Sequence, residues 1–238
     1  MKPALGILGG MGALASAEFV RTVYESNPEQ IEQDSPVVIL ISDPTLPDRT
    51  RAILTGSHGE LLDHVSRKIE ALYSLKASRV VLACVTLHYI TPMLAERLRR
   101  GIVSLIDVAV EAVMRSGRKQ LLLCTNGARA ARLFENHPLW PEVSHLIVYP
   151  ERKDQELVHS LLYQYKTAGD DRLFMPHLDR LLGEYGADSF IAGCTELHML
   201  TKSLARQGRE IPFIDPLLII AQNLDTYLQA EAGARLAA

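Results

Sequence analysis

Cysteine is scarce in this chain. Three in 238 residues are too few for a disulfide framework, and the odd count leaves at least one free thiol. That usage suits a reducing cytoplasm. No apolar run reaches the roughly 18 residues that a membrane-spanning helix needs. Neither sign of charge is in excess. The 25 Lys and Arg stand against 28 Asp and Glu, a net charge of −3, so no basic field recommends nucleic acid or an anionic membrane as partner. What is there, 47% hydrophobic and 22% charged residues, is an ordinary globular mix. It is long enough for two domains of about 110–120 residues.

The first residues imitate a secretion signal, with Lys2, an apolar stretch, and Ala15-Ser16-Ala17 resembling a cleavage site. Gly6, Gly9, Gly10 and Gly12 argue against it, because they spoil the helical apolar region a signal requires. They fit a strand followed by a tight turn instead.

Short apolar runs alternate with helical patterns along the whole length. Strands are expected at 4–8, 37–41, 79–83, 103–106, 120–124, 145–149, 189–193 and 211–214. Helices are expected between most of them, at 13–26, 59–75, 155–167, 172–184 and 217–228 among others. Continuously apolar strands separated by helices imply parallel sheet covered on both faces, the α/β class.

The two halves echo each other. Val80-Val81-Leu82-Ala83-Cys84-Val85-Thr86-Leu87-His88 resembles Phe190-Ile191-Ala192-Gly193-Cys194-Thr195-Glu196-Leu197-His198, 110 residues further on. Leu121-Leu122-Leu123-Cys124-Thr125-Asn126-Gly127 likewise answers Leu5-Gly6-Ile7-Leu8-Gly9-Gly10. Two similar α/β domains facing one another are expected, with a join near Gly101.

In a parallel sheet ligands sit beyond the carboxyl ends of the strands, where helix N-termini offer free N–H groups. Cys84 and Cys194 both fall at such an end, one in each half, and a helix N-terminus lowers a thiol's pKa toward neutrality. A matched pair in a repeated context points to acid–base chemistry across a shared cleft. Cys124, lacking the motif, reads as core. Cys84 with His88 and Cys194 with His198 could also make a Cys₂His₂ zinc set, but each cysteine ends a strand, so helical i, i+4 geometry is not assured and no metal is expected. Gly10-Met11-Gly12-Ala13-Leu14-Ala15 fits the dinucleotide pattern G-x-G-x-x-A, yet the acidic partner expected about 20 residues on is missing. The turn better suits backbone N–H groups approaching a small carboxylate. Arg49, in a loop after the second strand, offers a fork for a carboxylate. Glu196 could tune the neighbouring thiol or simply cap the next helix.

Gly6-Ile7-Leu8-Gly9-Gly10-Met11-Gly12, Pro47-Asp48-Arg49-Thr50, Ala83-Cys84-Val85-Thr86, Gly193-Cys194-Thr195-Glu196 and Ile214-Asp215-Pro216 occur in the order found in the aspartate/glutamate racemase family, which the chain resembles over nearly its whole length. The Pro-Asp-Arg-Thr segment is similar to the aspartate racemase branch, and Lys166 sits where that branch carries a substrate-binding lysine. The resemblance implies two flavodoxin-like domains, frequent homodimers and racemisation without a cofactor. It also implies a C-terminal helix that returns to the first domain, giving 1–100 plus 214–238 and 101–213. Cys84 and Cys194 would be the two acid–base thiols, exchanging roles with the hand of the substrate. Met11, Arg49, Thr50, Val85, Thr86, Thr125, Asn126, Lys166 and Thr195 would surround an acidic amino acid, and Asp48 and Glu196 would tune the thiols. The family usually has asparagine where this chain has Val85, so one expected contact to the substrate's α-substituents is missing. Two other readings stay open at this point: a decarboxylase or cis-trans isomerase using the same thiols, and a protein that binds an acidic amino acid without turnover.

Overall fold

A computed structural model describes residues 2–229. The expected contribution of 230–238 to the first domain lies outside the described residues. The chain begins β1 (Ala4–Gly9), α1 (Ala13–Ser26), β2 (Val37–Ser42), α2 (Arg49–Thr55), α3 (Gly59–Ser74) and β3 (Ala77–Leu82). A 3₁₀ stretch, Val85–Met93, then leads through the short α4 (Glu96–Arg99) to β4 (Ile102–Val103) and α5 (Leu105–Ser116). The second half repeats the plan with β5 (Gln120–Cys124), α6 (Asn126–Ala130), α7 (Trp140–Val143), β6 (Ile147–Val148), α8 (Arg152–Ala168), α9 (Met175–Tyr185), β7 (Ser189–Gly193), α10 (Leu197–Arg206) and β8 (Phe213–Ile214). The last two described helices are α11 (Pro216–Gln222) and α12 (Leu224–Gln229).

Two four-stranded parallel sheets result, ordered β2-β1-β3-β4 and β6-β5-β7-β8, so the second is the first repeated. The expected α/β class with two similar parallel sheets is what the chain forms. The order follows from composition. β1, β5 and β7 are buried along their full length and are flanked by strands on both sides. β2, at an edge, is partly or fully exposed along its whole length.

Several element ends differ from expectation, each for a local reason. The fourth strand is Ile102–Val103 rather than 103–106, because Ser104 accepts from the Asp107 N–H and starts a helix there. Strand pairing expected over 145–149 is confined to Ile147–Val148, between a 3₁₀ turn and Pro150. Pro212 has no N–H, and pairing begins after it at Phe213. The helix expected at 172–184 begins instead at Met175, behind a 3₁₀ turn over Asp171–Leu173. The stretch 217–228 divides at Asn223, whose non-helical backbone (φ −122°, ψ 34°) separates α11 from α12.

One apolar cluster joins the halves. Phe19 and Val23 of α1, Val110 of α5 and Ile220 of α11 are almost wholly buried in it, together with Leu5 of the first sheet and Leu122 of the second. Helix α11 thus lies against α1 and α5, within the cluster that both sheets share. Burial of a side chain such as Phe19 contributes about 1.5–3 kcal/mol. No helix among the described residues is long and apolar enough to cross a membrane.

Candidate functional site

Cys84 ends the run out of β3 in an extended conformation and opens the 3₁₀ stretch, while Cys194 directly follows β7, two residues short of the start of α10 at Leu197 with Thr195 and Glu196 between. Both thiols are free and buried. The Thr195 hydroxyl donates to the Ala83 carbonyl at 3.1 Å, and both thiols influence Lys166, so the topology brings the two strand ends to one place. Their surroundings differ. The Cys194 Sγ–H donates to Glu196 Oε2 at 2.8 Å, and Glu196 is 1% exposed. Burial and the adjacent Glu196 carboxylate push the Cys194 pKa well up, partly countered by Lys166. Cys194 is therefore a thiol in this state. The cation beside Cys84 is Arg49.

Arg49 is 8% exposed although it begins a helix. Its Nη1 donates to the carbonyls of Leu46 and Pro47, and its Nη2 to that of Met11. A guanidinium has five N–H groups, so this clamp orients the fork and leaves donors for a ligand. Burial opposes its charge, but Cys84 and Asp48 more than offset that and raise its pKa. Asp48 itself caps α2 by accepting from the Arg51 N–H, and its other oxygen accepts from the Tyr163 hydroxyl at 2.8 Å. Its carboxylate supports Arg49 and α2 rather than touching a thiol.

Lys166, in the last turn of α8, reaches Glu196 Oε1 at 3.5 Å and lies over the Tyr163 ring. Burial works against its charge, and Glu196 with the two cysteines outweighs that to raise its pKa. Thr86 and Thr125 meet hydroxyl to hydroxyl across the floor of the cleft. The Thr195 hydroxyl donates to the Ala83 carbonyl of the opposite half. Thr50 is buried where α2 meets Gly127 of α6. Asn126 is turned toward α8, with its side-chain oxygen accepting from Gln155. Met11 packs in the apolar cluster around Cys84. Val85 is 2% exposed within the apolar cluster between the sheets, among Ala83, Cys124 and Ala128. The missing carboxamide is thus replaced by core packing.

The glycine turn also differs from expectation. Gly10 has φ +90° with Asp43 backbone packed where a side chain would be, and its N–H donates to the Ser16 hydroxyl. A Cβ on Gly12 would lie 2.5 Å from Glu196 Oε1. The turn closes on this chain's own groups, and the carboxylate beside it opposes a dinucleotide phosphate.

The two histidines at Cys+4 are occupied structurally, in parallel ways. The Leu105 N–H donates to His88 Nε2, so the proton is on Nδ1, which donates to the Cys84 carbonyl. Burial lowers the His88 pKa, in keeping with a neutral ring. His198, wholly buried, pairs with Asp215 through Nδ1 at 2.7 Å and with the Thr22 hydroxyl through Nε2 at 2.9 Å. Asp215 caps α11 through its other oxygen. Each histidine thereby ties the turn after its cysteine to the start of α5 or α11, and the pairs do not form a Cys₂His₂ set. Sequence reasoning missed these roles, along with Tyr163 and Gln155; the repeated Leu-His was the available signal. A cavity of about 1000 Å³ lies behind His88, lined by Asp107, His137 and Tyr227 among others, and neither Cys84 nor Cys194 lines it.

Residues 8–224 match the family model described as Asp/Glu/hydantoin racemase. Among solved structures, an aspartate racemase from Picrophilus torridus has 22% identity and a TM-score of 0.81, covering 95% of this chain and 94% of that one. An aspartate racemase homologue from Pyrococcus horikoshii has 19% identity and a TM-score of 0.67, covering 96% and 100%. Glutamate racemase from Escherichia coli has 19% identity and a TM-score of 0.62, covering 100% and 86%. At such identities the likeness is one of fold.

Proposed function

The chain belongs to the Asp/Glu/hydantoin racemase family, and from that premise we propose that it interconverts L- and D-aspartate through two thiols, without a cofactor. The observation that carries this reading is that Cys84 and Cys194, from separate sheets, share one buried site with two cations, Arg49 and Lys166. Racemisation needs a base on one face of the α-carbon and an acid on the other. A thiolate at one cysteine takes the α-proton; the opposite thiol delivers its own proton to the other face. Negative charge that develops on the α-carboxylate is met by the hydroxyl proton that the Thr86–Thr125 pair leaves free, with Thr50 close by, while Thr195, whose proton goes to the Ala83 carbonyl, holds the turn after Cys194 in place. Arg49 and Lys166 receive the carboxylates, and an acidic side chain is the natural second anion for one buried and one half-buried cation. The Pro47-Asp48-Arg49-Thr50 segment supports aspartate over glutamate.

Proton NMR in D₂O tests the reading. L-aspartate should lose its α-proton signal and D-aspartate should accumulate. Binding without exchange would leave a carrier of acidic amino acids, and loss of a carboxylate would mark a decarboxylase. Three buried free thiols suit a reducing cytoplasm, and sedimentation tests the expected homodimer.

A further inference from the structure

The proposed reaction needs Cys194 as a base in one direction, yet the thiol here is held protonated. Three observations meet at Glu196. Its Oε2 already accepts the Cys194 proton along a 2.8 Å hydrogen bond. Its Oε1 is buried without a hydrogen-bond partner and faces Lys166 Nζ at 3.5 Å. Charge-assisted N–H···O contacts normally close to about 2.7–2.9 Å, so this pairing is loose. Gly12, with no side chain, leaves the carboxylate its place. Lys166 is the mobile member, a long side chain 23% exposed, with the Tyr163 ring beside it.

We propose that Lys166 serves two carboxylates in turn, Glu196 in the empty site and the substrate's side-chain carboxylate in the filled one, so that an acidic substrate releases Glu196 to take the proton of Cys194. The inference rests on the racemase reading and adds to it a trigger. In the empty site Lys166 holds the negative charge on Glu196, and the shared proton stays on sulfur. An incoming carboxylate draws the ammonium away. The Sγ–H bond then breaks, an O–H bond forms at Glu196 Oε2, and the electron pair remains on sulfur as thiolate. That thiolate breaks the α-C–H bond and becomes a thiol again, while Cys84 gives its proton to the opposite face and is left as thiolate. When product leaves, Lys166 returns to Glu196, and the proton held there passes through solvent to Cys84. Protons and electrons balance with no other reactant. Specificity then acts on chemistry as well as on binding, because a neutral side chain cannot move Lys166.

Thiolate absorbance near 240 nm in Cys84→Ser protein reads this directly. Cys194 is then the only responsive thiol, since burial raises the Cys124 pKa to about 12. The probes are succinate, which carries both carboxylates of aspartate and cannot react, and asparagine, the neutral isostere of aspartate. Saturation with succinate at pH 8, confirmed by calorimetry, should raise the signal toward one thiolate per chain; asparagine should leave it unchanged. Adding Glu196→Gln should abolish the rise. An equal rise with asparagine, no rise with bound succinate, or a rise that survives Glu196→Gln would each overturn the trigger. The comparison of succinate with asparagine needs no substitution at Glu196, so a misfolded variant cannot shield the idea. Loss of the racemase reading looks different: wild-type protein would fail to exchange the α-proton of aspartate at all.

Discussion

Thr86 Oγ1 and Thr125 Oγ1 lie 2.8 Å apart, one two residues beyond Cys84 and the other capping the helix after β5. This hydrogen bond and the one from the Thr195 hydroxyl to the Ala83 carbonyl join the carboxyl end of one sheet to that of the other. Thr86→Val keeps the shape and removes the hydroxyl. A net hydrogen bond is worth about 0.5–1.5 kcal/mol, so the thermal midpoint should fall by roughly 1–6 °C and kcat/KM for aspartate by up to about tenfold.

The two thiols give the sharpest expectation. Cys84→Ala and Cys194→Ala should each abolish racemisation, while exchange of the α-proton of a single enantiomer survives in D₂O. Near-normal racemisation by either variant, followed by circular dichroism, would remove the two-thiol mechanism.

On the proposed function, Arg49 and Lys166 would set a preference for an acidic side chain. A substrate without that carboxylate leaves desolvated cations unpaired, a cost of about 2–5 kcal/mol. Aspartate should therefore exceed asparagine and alanine in kcat/KM by a factor of roughly 30 to several thousand. Arg49→Ala and Lys166→Ala should each shrink that ratio. Equal rates for aspartate and alanine in the wild type would sink the assignment.

Gly12→Ala separates fold from chemistry. The new Cβ would meet the far end of a flexible side chain, Glu196 Oε1, so the fold accommodates it by moving the carboxylate. Stability measured by urea should stay within about 1 kcal/mol, as for substitutions without a core defect. The rate should fall by more than tenfold as Cys194 loses its partner, and a normal rate would show that the carboxylate need not sit there.

Asp215 gives a pH signature. Burial alone would raise its pKa, but His198, Thr201 and the α11 N–H groups outweigh it, so the folded value lies below the ordinary one of about 3.9. A depressed carboxylate stabilises the fold above its unfolded pKa and loses that contribution as pH falls through the folded value. Acid below about pH 4 should therefore weaken the protein, and less so in Asp215→Ala. At pH 7 that substitution should lower the urea midpoint, because it leaves the His198 ring and the α11 N–H groups without their buried acceptor.

Much of this was legible in the sequence because its signals are local. Apolar runs ending in Ala83-Cys84 and Gly193-Cys194 marked the strand ends, and the 110-residue echo marked the repeat. The strand placed at 103–106 failed because Ser104 with Asp107 is a helix start, a three-residue signal that competes with a short apolar run. His198 could be seen as repeated but not as paired, since Thr22 and Asp215 reach it from 176 residues before and 17 after. The inward packing of Val85 was likewise invisible, because it depends on Cys124 and Ala128 of the other half.

The unlike neighbours of the two thiols, Arg49 at Cys84 and Glu196 at Cys194, have a consequence in kinetics. L- and D-aspartate have equal free energies in solution, so the equilibrium constant between them is one. The quotient kcat/KM must then be the same in both directions, however lopsided the site. Unequal flanking groups can show only as different turnover numbers and Michaelis constants that compensate one another. A substitution beside Cys194 alone must slow both directions by one common factor in kcat/KM.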